Sequence, residues 1–382
     1  MKISTDRILT THVGSLPRPP HLVELIQKQA AGEPYDAEEL AREVRASIED
    51  IVARQAEIGV DIVSDGENSK ASYSTYIKER LSGFGDREYL SKVQRDLADF
   101  PGLAEQIMGT MGRTKQAKRL SCIGPVELVD PEAVKTDIAN FKAALAKSPR
   151  PDAFLNAVAP GTVAHFQPNM FYDRIEDYFE AVANAMRHEY EAIVDAGLLL
   201  QVDSPDVAMS YHSTFQDLGE EGFLKQAERQ VEALNHALEN IPASKVRMHV
   251  CWGNYEGPHH HDLPLETILP VILKAKVGAY SFEGSNPRHA HEWKVWADKR
   301  VPDDKILIPG VIDTSTNFIE HPELVAQRIE NYASVVGKER VIAGSDCGFA
   351  TFAGIGKLHP GVAFKKLESQ VQGAEIASGR LW

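Results

Sequence analysis

The chain has 382 residues, 43% hydrophobic and 25% charged, within the ordinary globular range. Its formal net charge of -14 lacks the cationic footprint of a protein that binds nucleic acid or an anionic membrane. No apolar run at the N-terminus resembles a signal peptide, and no stretch nears the roughly 20 apolar residues of a membrane span, so a cytoplasmic location is expected.

Eight short β-rich runs alternate with longer helical stretches. ILTTHV (8–13) is the first predicted strand, followed by an amphipathic helical region to about Ile58, and VDIVS (60–64) is the second. The interval from about 72 to 150 is polar, with an apolar island at LSCIGPVELVD, and is too long for one helix. AFLNAVAP (153–160), LLLQVDSP (198–205), KVRMHVCW (245–252), AYSFEG (279–284), KILIPGVID (305–313) and RVIAGSDCG (340–348) are the remaining strands. Between the third and fourth, Phe179, Val182, Ala183, Met186, Tyr190 and Ile193 recur at steps of three or four, which predicts a helix that Gly197 ends. Strands alternating with helices imply parallel βαβ units, and eight units imply an α/β fold of the closed (β/α)8 TIM-barrel type. The interval 72–150 reads as an insertion after the second strand, made of helices and a hairpin over the barrel mouth. One domain spanning 1–382 is expected.

Three cysteines, Cys122, Cys251 and Cys347, are too few and too odd in number for a disulfide framework, which leaves metal binding, catalysis or burial. Reactive side chains gather where the predicted strands end: His12 and Ser15, Asp65 and Glu67, Asp203, His249 and Cys251, Glu283, Asp313, then Asp346 and Cys347. In such a barrel these ends face one mouth, where active sites sit. His249 and Cys251, two apart on one strand, share a face. Glu283 ends the next strand and Cys347 lies two strands further on, so four donors can converge on one ion. Their types suit zinc, since thiolates exclude magnesium and calcium. The alternative is that the cysteines are small buried residues and His249 a satisfied core histidine. Cys122 has no such partners and is assigned to burial.

Two thiolates and a carboxylate neutralise zinc and leave it a poor activator of water, while a coordinated thiol is still deprotonated. That favours S-alkylation over hydrolysis. A zinc hydrolase is the rival enzyme. The non-enzymatic rival is a closed structural zinc site, against which stands the dispersal of the ligands over separate strands. The run His259, His260, His261 follows Gly257 and Pro258 and reads as a solvated loop.

The ordered motifs THVGSLPRP (11–19), SDGE (64–67), QVDSP (201–205), HVCWGN (249–254), SFEGSNPR (281–288), IPGVIDTST (308–316) and SDCGFAT (345–351) resemble the cobalamin-independent methionine synthase family, over its C-terminal catalytic barrel. The resemblance implies zinc ligands at His249, Cys251, Glu283 and Cys347, and places Ser15, Glu67 and Asp203 where the amino-acid end of homocysteine is held. Asp313 and His165 are the candidate acids for the leaving group. The chain departs from the family at Ser204, where an acidic residue is usual, and at Ser315, which aligns with a histidine that helps proton transfer. These departures bear on the partner that supplies the alkyl group: methyltetrahydrofolate, methylcobalamin or a methylated corrinoid protein. The sequence also resembles epoxyalkane:coenzyme M transferase, which implies an epoxide opened by a zinc-bound thiolate as a further reading.

Overall fold

A computed structural model describes residues 1–86, 92–111, 120–298, 301–356 and 358–382. Eight barrel strands follow in chain order: β1 Leu9–Thr10, β2 Ile62–Val63, β3 Asp152–Val158, β4 Leu199–Asp203, β5 Val246–Val250, β6 Ala279–Phe282, β7 Ile306–Ile312 and β8 Ile342–Ser345. Each pairs in parallel with its neighbours from β2 round to β8, and β8 pairs with β1. A parallel bridge between Thr11 and Ile62 closes the ring. All eight predicted strands are present, and this is the (β/α)8 barrel. Most are shorter than predicted at the C-terminal end, where the backbone leaves the ladder to form the mouth loops.

Side-chain alternation sorts the barrel interior into layers. The bottom is an apolar plug of Leu9, Ile62, Phe154, Leu199, Ala279, Ile306, Ile308 and Ile342. β5 contributes Arg247 instead, fully buried, its guanidinium 4.1 Å from the centroid of the Phe154 ring. That guanidinium donates to Thr11 Oγ1 (2.9 Å) and the His12 carbonyl (2.8 Å), so the cation is placed on its partners rather than left bare.

The surrounding helices follow their sequence signals. Helix Ala37–Ile58 is capped by Asp36, which accepts from Glu39 N–H at 3.0 Å, and ends at Gly59 with φ +97°, a left-handed conformation glycine adopts without strain. Helix Ile175–Asp195 buries the predicted stripe of Phe179, Val182, Ala183, Met186, Tyr190 and Ile193. Among the described residues no helix is long and apolar enough to cross a membrane.

The predicted insertion interval falls partly outside the described residues. Within them it holds a two-stranded antiparallel pair, Phe84–Gly85 with Ser121–Cys122, and helices Arg95–Ala98 and Pro101–Met111. Helix Ala133–Lys147 packs between Ala37–Ile58 and Ile175–Asp195, as the helix of a βα unit does. Buried Arg80 ties this region down by ion pairs to Asp137 (2.5 Å) and Glu189 (2.8 Å).

The register between β7 and β8 shifts at Gly344/Ser345, a bulge that re-aims the residues beyond it. Asp346 then lies over Gly310 and accepts from the N–H groups of Gly284 and Ser285 (2.8 Å each) and Asn286 (2.6 Å), fixing the loop that follows Glu283. A Cβ at Gly310 would come within 2.0 Å of Asp346 Oδ1 and 2.6 Å of its backbone N. Gly310→Ala is therefore expected to destabilise the protein by about 2–4 kcal/mol, through overpacking and loss of these bonds. A urea unfolding midpoint equal to that of the parent would contradict this.

Candidate active site

Parallel pairing sets Asp203 of β4 opposite His249 of β5, and His249 opposite Ser281 of β6. Cys251 follows one residue beyond β5, and Cys347 follows the bulge of β8. The structure brings His249, Cys251 and Cys347 together: one ligand atom from each lies within 4.8 Å of the others, and all three residues are buried. The two sulfurs are 3.9 Å apart. Two thiolates bound at about 2.3 Å to one tetrahedral ion stand about 3.8 Å apart, so the pair fits such an ion without rearrangement. Neither ring nitrogen of His249 makes a well-aligned hydrogen bond. Burial, and then Arg247, hold its pKa down to about 3, which leaves the neutral imidazole that binds metals. The hydrogen bond to Cys347 and burial push the Cys251 thiol well above its ordinary range. A bound cation is what reverses that direction. An imidazole without a well-aligned partner beside two close thiols fits a metal ion.

Glu283 does not join this group of three. Its Oε1 accepts from Trp252 N–H (2.8 Å) and its Oε2 from Asn286 Nδ2 (2.9 Å). It walls a small polar cleft beside Cys347, together with Asn254, Asn286 and Ser315.

Glu67 and Asp203, outside that cleft, lie close enough to feel each other's charge. Both are buried, and Glu67 has φ +55°, a strained conformation for a side-chain-bearing residue. Burial and the charge of Asp203 raise the Glu67 pKa to about 8, and Glu67 Oε2 has no hydrogen-bond partner. Burial raises Asp203 to about 6 against the amide donors of Asn156 (3.0 Å) and Gln201 (2.8 Å). The charges of Lys70 and Arg18 act to lower the Glu67 pKa, although their hydrogen bonds go elsewhere. Arg18 donates to the carbonyls of Glu67 and Ala350 (2.7 Å each), and Lys70 to that of Asn156 (2.6 Å). Ser15 joins two mouth loops. Fully buried, its hydroxyl accepts from Ala350 N–H at 3.3 Å and its carbonyl from Phe349 N–H at 2.9 Å, tying the first loop to the loop that carries Cys347.

The two candidate acids sit differently. Asp313 accepts from the N–H groups of Ser315 and Thr316, the Thr316 hydroxyl and Lys366 Nζ (3.2 Å). Burial acts to raise its pKa, but Lys366 and Thr316 outweigh it and lower the value, so this carboxylate anchors a loop and holds no proton to give. His165 lies on the helix after β3, with Nδ1 at 2.9 Å from Ser210 Oγ and 2.8 Å from Thr214 Oγ1.

Two features escaped the sequence reading. Tyr73 reaches the mouth: burial first, then the nearby Cys251, Cys347 and Asp203, push its phenol well above the usual range. The histidine run is not uniformly solvated either. His259 is buried on Asp262 (2.7 Å), whereas His260 and His261 stay partly exposed on Asp99. The spacing of His259 to Asp262 and of His289 to Glu292, three residues each, was the available signal.

A carboxyl group kept protonated by burial carries a sign for stability. Glu67 is neutral without cost below about pH 4.5, and folding increasingly opposes its ionisation as pH rises toward 8. Glu67→Gln is expected to melt several degrees above the parent at pH 8, with the gap closing toward pH 4.5, by thermal unfolding at both pH values. An unchanged gap would show that Glu67 is not the buried acid described.

A model of the cobalamin-independent synthase catalytic domain matches residues 8–138 and 121–359. The methionine synthase of Sulfurisphaera tokodaii is 27% identical over 374 residues, covering 97% of this chain and 93% of its own. That of Saccharolobus solfataricus is 25% identical over 374 residues, covering 97% of this chain and 95% of its own. A B12-independent methionine synthase from Shewanella sp. W3-18-1, solved in complex with selenomethionine, aligns with a TM-score of 0.73 at 20% identity over 98% of this chain and 99% of that one, a likeness of fold. With well over half of its residues matched by that model, the chain belongs to the cobalamin-independent synthase catalytic-domain family.

Proposed function

We propose that the protein is a zinc-dependent methyltransferase acting on the sulfur of homocysteine. The observation that carries this is the buried meeting of His249, Cys251 and Cys347 at the barrel mouth. Two thiol donors and an imidazole favour zinc over the hard divalent cations. Glu283, on the wall of the same cleft, is the fourth ligand. Bound zinc supplies one thing: it lowers the pKa of a coordinating thiol and keeps that sulfur nucleophilic at neutral pH.

The rest is work for the chain itself. Glu67 and Asp203 form a buried anionic wall that receives an ammonium group, and the substrate's charge draws both toward their ionised forms. The same wall repels a sulfonate, which supports homocysteine over coenzyme M and disfavours the epoxide-opening reading. Ser15 keeps the first loop against the Cys347 loop, so that thiol and metal ligands stay in register. In the transfer, the S–CH3 bond forms as the donor–CH3 bond breaks, and the electron pair leaves with the donor. Ser315 in the cleft offers no proton at neutral pH, which favours a methylated corrinoid, whose leaving group departs unprotonated. For a pterin donor, His165 is the one left of the two candidate acids, because Asp313 is held ionised.

Cys347→Ser is expected to lose both zinc and methyl transfer. In the parent protein, homocysteine is expected to add one sulfur scatterer at the zinc edge. Full activity in a zinc-free Cys347→Ser protein would remove the proposal. Asp203→Asn is expected to lower kcat/KM for homocysteine about 10–100-fold, the worth of a hydrogen bond to a charged group. A thiol of similar size without the amino group should be affected far less. Equal losses for both thiols would reject the ammonium assignment.

A further inference from the structure

Beyond the metal ligands, six buried titratable groups from four segments meet beside the mouth: Asp96 in the insertion, His212 after β4, His259 and Asp262 after β5, and His289 and Glu292 after β6. Their protons can be counted from their partners. His289 Nδ1 faces Glu292 Oε2 at 2.8 Å and its Nε2 faces Asp262 Oδ2 at 3.0 Å. Both partners only accept, so both nitrogens carry hydrogen and the ring is an imidazolium. His259 faces Asp262 Oδ2 at 2.7 Å and the Tyr255 carbonyl at 3.0 Å, with the same result. His212 Nδ1 sits 3.2 Å from Asp96 Oδ1 and 3.1 Å from Asp262 Oδ1. With His212 also charged, three imidazoliums balance three carboxylates. The Asp96–His212–Asp262 triple has the spacing of a cation site, but a divalent ion there, with His212 neutral, would leave an unbalanced positive charge in a buried cluster.

The inner end of this cluster reaches the metal site. The His289 ring stacks on Trp252, centroids 4.2 Å apart and planes 30° apart. Trp252 follows Cys251 directly, donates its indole N–H to the Leu263 carbonyl (2.7 Å) and its backbone N–H to Glu283 Oε1 (2.8 Å). We infer that His289 is a positioning residue of the metal site: held as an imidazolium by Asp262 and Glu292, it seats Trp252, and through the Trp252 N–H the Glu283 carboxylate. A cation over an indole face is attracted by the ring, which gives the stack a preferred geometry. Groups that orient ligands from behind in this way alter metal affinity about 10–100-fold when removed.

The metal readout rests on the zinc reading above, and the charge readout does not. Zinc transfer to a chelator is measured in the parent, His289→Ala, the milder His289→Gln and Asp96→Asn, each with its thermal midpoint. Release is expected about 10–100-fold faster in His289→Ala and intermediately faster in His289→Gln. Asp96→Asn, at the far end of the cluster, is expected to melt lower and release zinc at the parental rate. Parental release from both His289 variants would overturn the inference. If His289→Ala does not fold, His289→Gln alone decides. A parent that holds no zinc would instead reject the zinc reading. Independently, nitrogen NMR of histidine-labelled protein at pH 8, where an ordinary histidine is neutral, is expected to show an imidazolium signal that His289→Gln removes. A neutral His289, or a second metal ion per chain that Asp96→Asn abolishes, would also overturn it.

Discussion

Everything at the mouth depends on one parallel register, in which Asp203 of β4 stands opposite His249 of β5 and both face inward. Strand side chains alternate with a period of two, so a slip of one residue in either strand would send one of these groups into the helical layer. The register thereby brings a carboxylate and an imidazole to the same rung, with Cys251 one step above on the imidazole's face. At β8 the regular ladder gives way to a bulge. It carries Asp346 across Gly310 to hold the loop after Glu283, and delivers Cys347 to within 3.9 Å of Cys251.

The barrel interior grades from apolar to charged. The bottom plug is apolar apart from Arg247, and the layers above it carry Asn156, Gln201 and then the reactive groups. Several of these stand in states that folding alone does not favour: a glutamate with φ +55° and a pKa near 8, an imidazole without a well-aligned hydrogen bond, and two thiols pressed together. Groups left short of partners in a stable scaffold are complementary to something that binds. Here the groups differ in kind: two sulfurs and an imidazole in one set, and two carboxyl groups with raised pKa in the other.

The insertion contributes through electrostatics as well as cover. Asp96 joins a neutral set of three imidazoliums and three carboxylates that spans the loops after β4, β5 and β6, so these three loops share one buried anchor. The outer pair, His260 and His261 on Asp99, repeats the same contact in water, where it contributes little.

The eight strands, the buried stripe of helix Ile175–Asp195, and the nearness of His249, Cys251 and Cys347 are legible in the residues alone, because these rest on local periodicity and on which residues end strands. Strand ends were read too long, since the pattern of apolar residues continues where the backbone ladder has stopped. Which polar groups meet is set by the packing of segments distant in the chain. Asp313 is neutralised by Lys366, 53 residues away; His289 is locked by Asp262, 27 away; and Glu283 turns toward Trp252, 31 away. Such contacts join different strand ends across the mouth, and no periodicity in a single chain records them. Periodicity says which face a residue occupies, and the packing of neighbouring loops then decides whether that residue is free to bind, already paired, or holding another in place.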